Sequence, residues 1–310
     1  MSRPRRLAPA LLGALLGAAL LSACTGSAAD GGDGVVVTTN ILGDITREVV
    51  GDEADVTVLM KPDADPHSFG VSAQQAATIE RAGLVVHNGL GLEEGVARNV
   101  EAAAEAGVPT LAVGEEVDPL PYTSDESAGQ LDPHFWTDPR RVRTATELVS
   151  AAVIEHVAGV DAAAVRANTE AYLAELDALD TWMTGELASV PAERRALVTN
   201  HHVFGYLADR YGYQVVGAVI PSGTTLASPS ASDLESLAGA VREHGVPAIF
   251  ADSSQPDRLA QVLAEEAGVD VQVVELHSES LTAEGGGAAT YLEMARANTE
   301  AIVTALTADR

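Results

Sequence analysis

The 310-residue chain is poor in cysteine and in positive charge. Its single cysteine, Cys24, rules out an intramolecular disulfide, a cysteine-based zinc cluster and an iron–sulfur site. Lys and Arg number 18 against 45 Asp and Glu, a formal net charge of -27. That balance argues against a nucleic-acid partner, because phosphate binding needs a surplus of cationic side chains on some face. An acidic surface favours solubility and attracts cations weakly and without selectivity. The apolar run Leu7 to Leu21 is too short and too abruptly ended for a membrane span. No His-x-x-x-His helix and no two-metal cluster is apparent. What is present, 46% hydrophobic and 20% charged residues, marks a globular chain long enough for two ordinary domains.

At the N-terminus, Arg3, Arg5 and Arg6 precede the apolar run, which closes as Leu21-Ser22-Ala23-Cys24. This closure resembles a bacterial lipobox, in which the cysteine becomes the lipidated first residue of the mature protein. Each buried methylene of an acyl chain contributes about 0.8 kcal/mol, so several chains would tether the protein to the outer face of the cell membrane. Residues 1–24 are therefore expected to be a lipoprotein signal peptide, and residues 25–34, small and polar, a flexible leash.

From Val35 onward strands alternate with helices. Strands are expected at 35–39, 56–60, 84–87 and 109–113, with helices at 41–50, 72–82 and up to about 106. An irregular acidic loop follows over 114–130, with Glu115, Glu116, Asp118, Asp125 and Glu126. Helical spacing then runs over 141–157 and 162–187, the second about seven turns long and a candidate rigid connector. Strands near 196–199, 214–219, 248–251 and 271–276, with a serine-started helix ending at Glu243, form a second unit. The expected fold is α/β: two doubly wound parallel-sheet lobes joined by one long α-helix. The lobes are placed at 35–160 and 191–310, and the linker helix at 161–190.

Histidines recur where such folds keep their ligands. Asp65-Pro66-His67 and Asp132-Pro133-His134 each sit on a loop with an aromatic residue within two positions. Asn200-His201-His202-Val203-Phe204-Gly205-Tyr206 follows a strand, and His277-Ser278-Glu279 follows another. A His pair at such a turn, taken alone, reads as an exposed polar cap. Four arms past strand ends in two facing lobes would instead converge in the cleft between them. His87, His156 and His244 read as ordinary polar residues at a strand end, on an amphipathic helix and at a helix C-terminus.

These stretches, together with Asn88-Gly89-Leu90-Gly91-Leu92-Glu93 and Ile249-Phe250-Ala251-Asp252-Ser253-Ser254, resemble the metal-specific solute-binding lipoproteins of ABC importers, the zinc-type family with a rigid helical linker. The resemblance covers about Val35 to Thr307. It implies His67, His134 and His201 as metal ligands, with a carboxylate after the last strand as the fourth. Many relatives place Asp there; here Glu279 stands at that point, with Asp252 and His277 as rivals and His202 as a neighbour within the cleft. Three imidazoles and one carboxylate suit Zn(II), one per chain, whereas the manganese-preferring branch is expected to carry a carboxylate at the His201 position. With neutral imidazoles and an ionised Glu279 the loaded site would carry about +1, so nearby acceptors should orient the imidazole N–H groups. The acidic loop lacks the histidines that many zinc-importing relatives carry there.

The implied function is capture of Zn(II) and its delivery to an ABC permease and its ATPase for import, by a monomer that is not an enzyme, with a metallochaperone as a further partner. The alternatives are a manganese- or iron-binding member of the same family and a surface adhesin with a structural metal. A zinc hydrolase using Glu279 as general base is a more distant one.

Overall fold

A computed structural model describes residues 34–124 and 127–308. The expected lipobox with Cys24 and the leash up to residue 33 lie outside the described residues, as do Asp125 and Glu126 of the acidic loop.

The first lobe runs β1 (Val35–Val37), α1 (Asn40–Val50), β2 (Val56–Val58), α2 (Ala73–Ile79), β3 (Leu84–His87), α3 (Ala97–Glu105) and β4 (Thr110–Ala112). All pairings are parallel, in the order β2-β1-β3-β4, with Val35 opposite both Val56 and Leu84 and Val85 opposite Thr110. A short helix α4 (Val113–Glu116) leads into the irregular loop, whose ends meet at an antiparallel bridge between Pro121 and Leu131. Helices α5 (Pro139–His156) and α6 (Ala162–Ala188) follow. The second lobe comprises β5 (Ala196–Thr199), α7 (Gly205–Tyr211), β6 (Gln214–Ala218), α8 (Ala231–His244), β7 (Ala248–Asp252), α9 (Arg258–Ala267), β8 (Gln272–Leu276) and α10 (Tyr291–Thr307). Its sheet is also parallel, ordered β6-β5-β7-β8. Each lobe thus begins with a strand that becomes a central one, flanked by the next strand on one side and the third on the other. This shared order makes the two sheets topologically alike.

Strand burial explains the near-continuous Val, Ile and Leu in both sheets, because a parallel sheet is covered on both faces. Successive side chains point to opposite faces. In β1, Val35 and Val37 join Ile41, Leu42, Ile45 and Val49 of α1, while Val36 packs with Ile79, Val96 and Val100 on the other face. In β7, Ala248 and Phe250 face the same large core, and Ile249 and Ala251 meet Leu237, Val241 and Leu263. That large core is continuous from β1 through α5 and α6 to Phe250, Leu276 and Ile302 of the second lobe.

Helix α6 has 27 residues, about 40 Å at 1.5 Å per residue. Its buried residues Val165, Thr169, Tyr172, Leu176, Leu179, Met183 and Leu187 recur every three or four positions, one stripe along the whole rod. Asp161 caps its start by accepting from the Ala163 N–H, and Asp138 does the same for α5, with Pro139 at the first helical position. Ser72 and Ser230 close capping boxes with Gln75 and Asp233.

Several boundaries differ from the expectation. The strands expected at 35–39 and 56–60 have three-residue ladders, yet the Leu59 and Met60 N–H groups still donate to the Val37 and Thr38 carbonyls of β1 and the Thr38 N–H to the Val86 carbonyl of β3, so the extended backbone outlasts the ladder. Helix α2 ends at Ile79 rather than Ala82. Helices α9 and α10 were not anticipated. Among the described residues no helix is long and apolar enough to cross a membrane.

Candidate metal centre

The two Asp-Pro-His loops adopt one local design. In each, the aspartate Oδ1 accepts the backbone N–H of the histidine two residues on, at 2.9 Å for Asp65 with His67 and 2.9 Å for Asp132 with His134. Such Asx turns compete with helix and strand, and the proline between fixes φ, so the chain presents the imidazole on a rigid corner. Asp132 Oδ1 also lies 2.7 Å from His134 Nδ1. A carboxylate only accepts, so Nδ1 carries the proton and Nε2 presents a lone pair to the cleft. Below this loop, buried Glu93 accepts from the Thr38 hydroxyl at 2.7 Å and from the Asn88 and Gly89 N–H groups, and Asn88 Nδ2 donates to the Pro133 carbonyl at 3.1 Å. The glycine-punctuated turn is therefore a support for the His134 loop.

His201 follows β5 by two residues. Its Nδ1 lies 2.8 Å from Asn200 Oδ1, an acceptor, which again leaves Nε2 as the free lone pair. Glu279 sits on the turn after β8. Trp136 Nε1 donates to the Ser278 carbonyl at 2.8 Å, Asn40 Nδ2 to Ser280 Oγ at 2.8 Å, and the Leu281 N–H to Asn40 Oδ1 at 3.0 Å. First-lobe side chains thereby hold the second-lobe turn.

His67, His134, His201 and Glu279 converge so that one ligand atom from each lies within 4.8 Å of the others. They are 3%, 0%, 0% and 1% exposed, a degree of burial unusual for a carboxylate and three imidazoles without mutual purpose. Glu279 Oε1 is 3.1 Å from His201 Nε2 and 3.5 Å from His134 Nε2, and Oε2 is 3.8 Å from His67 Nε2. The Nε2 atoms of His67 and His134 face each other at 3.3 Å. Proximity does not amount to hydrogen bonding here: His201 Nε2 and both Glu279 oxygens have no hydrogen-bond partner. Burial, then the adjacent imidazole of His134, pushes His67 down to about 3, and burial with neighbouring imidazoles holds His201 well below the usual range. Burial, then the Asp252, Asp65 and Asp132 carboxylates, pushes Glu279 well above the usual carboxylate range. The inward lone pairs of His134 and His201, beside a buried carboxyl that no protein donor satisfies, leave the cage rich in acceptors. Orphaned buried acceptors cost free energy unless a cation satisfies them. The donor set, three nitrogens and a carboxylate closed off from solvent, suits a divalent ion of borderline softness held without an open position.

The rival residues lie elsewhere. Asp252 is buried beneath the Glu279 turn, accepting from the Ser254 N–H and hydroxyl and from the Ser278 N–H at 3.2 Å, so it braces the turn. His277 turns away, with Nδ1 3.1 Å from Ser253 Oγ and its backbone N–H on Asn298. His202 is buried outside the four-residue cluster, its ring 6.2 Å from that of Tyr122, and lines a cleft of about 390 Å³ together with Asp132 and Phe204. That cleft lies beside the cage, and none of the four clustered residues lines it. Gly205 and Gly223 allow two close approaches here: a Cβ at either would collide with Asp132 Oδ2 or with the Tyr122 ring. The supporting roles of Asp65, Asp132, Asn200, Asn40 and Trp136 were not expected from sequence; the repeated Asp-Pro-His was the visible trace of the first two alone.

A family model described as ZnuA, zinc-uptake complex component A, periplasmic, matches residues 35–305. The zinc-binding protein TroA of Treponema pallidum is 31% identical over 284 residues, spanning 90% of this chain and 91% of that protein. The solved structure of TroA superposes with a TM-score of 0.80 at 29% identity, covering 89% of this chain and 100% of the other. The manganese-binding lipoprotein MntA of Halalkalibacterium halodurans is 29% identical over 295 residues, 94% of this chain and 95% of that one. The iron-binding protein YfeA of Yersinia pestis is 29% identical over 260 residues, 84% and 82% respectively.

Proposed function

Because the chain belongs to the periplasmic zinc-uptake component A family, the metal-binding solute-binding proteins of ABC importers, we propose that it captures Zn(II) in the cage between its lobes. His67, His134, His201 and Glu279 are the four ligands in this reading, and the loaded protein delivers the ion to a membrane permease. A lipid on Cys24 holds the protein on the outer face of the membrane, in keeping with relatives that bear the name lipoprotein. It is a carrier and not an enzyme.

The observation that carries the choice of ion is His201. Three imidazole nitrogens with one carboxylate favour zinc over the harder manganese ion, which gains more from oxygen ligands. Manganese or iron is the alternative, since relatives at similar identity are named for each. Metal analysis of protein purified without chelator, followed by calorimetric titration with Zn(II), Mn(II) and Fe(II), tests this. One Zn(II) per chain and clearly tighter binding than Mn(II) are expected. Equal affinity for Mn(II) would remove the zinc assignment.

A further inference from the structure

The two Asp-Pro-His aspartates share one use of Oδ1 and differ in the other oxygen. Asp65 Oδ2 reaches across the cleft to the second lobe, accepting from the Thr225 hydroxyl at 2.7 Å and from Gln255 Nε2 at 2.9 Å. One carboxylate therefore fixes the His67 backbone on one side and is held by two second-lobe donors on the other.

Its surroundings group it with two half-buried ties at the same rim, from the Tyr122 hydroxyl to the Gly223 carbonyl and from the Gly223 N–H to Ser127 Oγ, and set it apart from the ties buried behind the cage. Asn40 to Ser280 and Leu281, Trp136 to Ser278, and the Tyr291 hydroxyl to the Trp136 carbonyl are made by buried side chains, several of them part of the continuous core. Separating them would expose that core. Asp65 is itself buried, but Thr225 and Gln255 are half-buried and line a cleft of about 240 Å³ on the second lobe, together with Asn200 and Asp252. Asn200 is the residue that orients His201. Parting Asp65 from Thr225 and Gln255 would open this cleft toward two ligand supports, those of His67 and His201, while the buried ties keep the lobes joined.

We propose that Asp65 is a latch: its hydrogen bonds to Thr225 and Gln255 hold the His67 loop closed on the ion, and breaking them is the first step of ion release. Asp65 is a positioning residue, acting on the ion through His67. The proposal rests on the reading of His67, His134, His201 and Glu279 as the ligands of a carried ion. A permease that widened this rim would release the cargo without unfolding the interface behind it.

The test removes the second-lobe donors and leaves every ligand in place. Thr225→Val keeps the shape of threonine without its hydroxyl, Gln255→Ala removes the amide, and Thr225→Ser restores a donor. Protein loaded with Zn(II) is mixed with excess chromophoric chelator and release is followed by stopped flow. A hydrogen bond to a charged acceptor is worth about a factor of ten or more in rate, so each loss should speed release roughly 10-fold and the double variant roughly 100-fold. Thr225→Ser should release at close to the original rate. Circular dichroism verifies that each variant folds. Release by the double variant at the unaltered rate, or identical rates for Val and Ser at position 225, would overturn the latch. Hydrogen exchange of the metal-free protein reads the same contact without any ion: amides of residues 63–69 should exchange faster in the double variant, and unchanged exchange would also overturn it. Failure of the unaltered protein to bind Zn(II) would count against the zinc reading, while exchange still decides the latch.

Discussion

Replacing Glu279 by glutamine should make the metal-free protein more stable and the metal-loaded protein much weaker, and the first effect can be sized from the structure. The carboxyl is 1% exposed, neither oxygen has a hydrogen-bond partner, and burial raises it well above its ordinary 4.5. In the unfolded chain it ionises near 4.5; in the folded, metal-free chain it keeps its proton to higher pH. The folded state binds more protons over that interval, so stability is full below 4.5 and declines as pH rises toward the folded value. Each pH unit of that interval costs the metal-free protein about 1.4 kcal/mol. A glutamine does not titrate and offers an N–H to the orphaned His201 Nε2. Scanning calorimetry of the two metal-free proteins should show little difference at pH 4.5 and a gain for Glu279→Gln at pH 7. For a protein of this size each kcal/mol of that gain is worth about 2 °C in Tm. Adding Zn(II) should invert the order: ligand at 1,000 times Kd stabilises by about 4 kcal/mol, and loss of a charged ligand should weaken affinity by more than about 100-fold. A Tm difference independent of pH, or a metal-free variant less stable at pH 7, would refute the reasoning.

Histidine 67 should give a slope of the opposite sign. Its folded value of about 3 lies below its ordinary 6.5, so the unfolded state binds the extra proton between those values and stability is lost as pH falls through that window. His67→Ala should therefore flatten the acid limb of a urea-denaturation series between pH 6.5 and 4; an unchanged limb would mean that His67 is not buried neutral. In the connector, Leu179→Ala empties a fully buried site on α6 and should cost about 2–5 kcal/mol by chemical denaturation, without altering Zn(II) affinity beyond a few-fold. A large loss of affinity there would tie the rod to the cage more directly than the packing indicates.

Much was readable from local pattern. β-Branched runs, serine caps and helical stripes are properties of adjacent residues, so the alternation of strand and helix, the long α6 and the four metal-ligand candidates could be found along the chain. Helices α9 and α10 were not among the expected elements. Strand ends differed because ladder length depends on the partner strand as well as on the strand's own propensity.

Which candidate side chains converge needed the third dimension. Asp252 ends one strand, and His277 and Glu279 follow another strand of the same sheet, so the sequence left the first two as rivals of Glu279. Only the fold showed that Asp252 spends its oxygens on Ser254 and Ser278, that His277 turns toward Ser253, and that Glu279 meets three imidazoles with its oxygens unpartnered. By itself, then, the sequence determined the two-lobed α/β class, the connector and the kind of chemistry, because periodicity and residue type are local quantities. Tertiary structure decided which carboxylate joins the cage, how Asp132 and Asn200 set the imidazole tautomers, and where Asp65 crosses between lobes. The cage and the crossing depend on contacts between residues 67 to 190 positions apart, which no local pattern encodes, whereas the tautomer contacts are local in sequence but set by side-chain geometry.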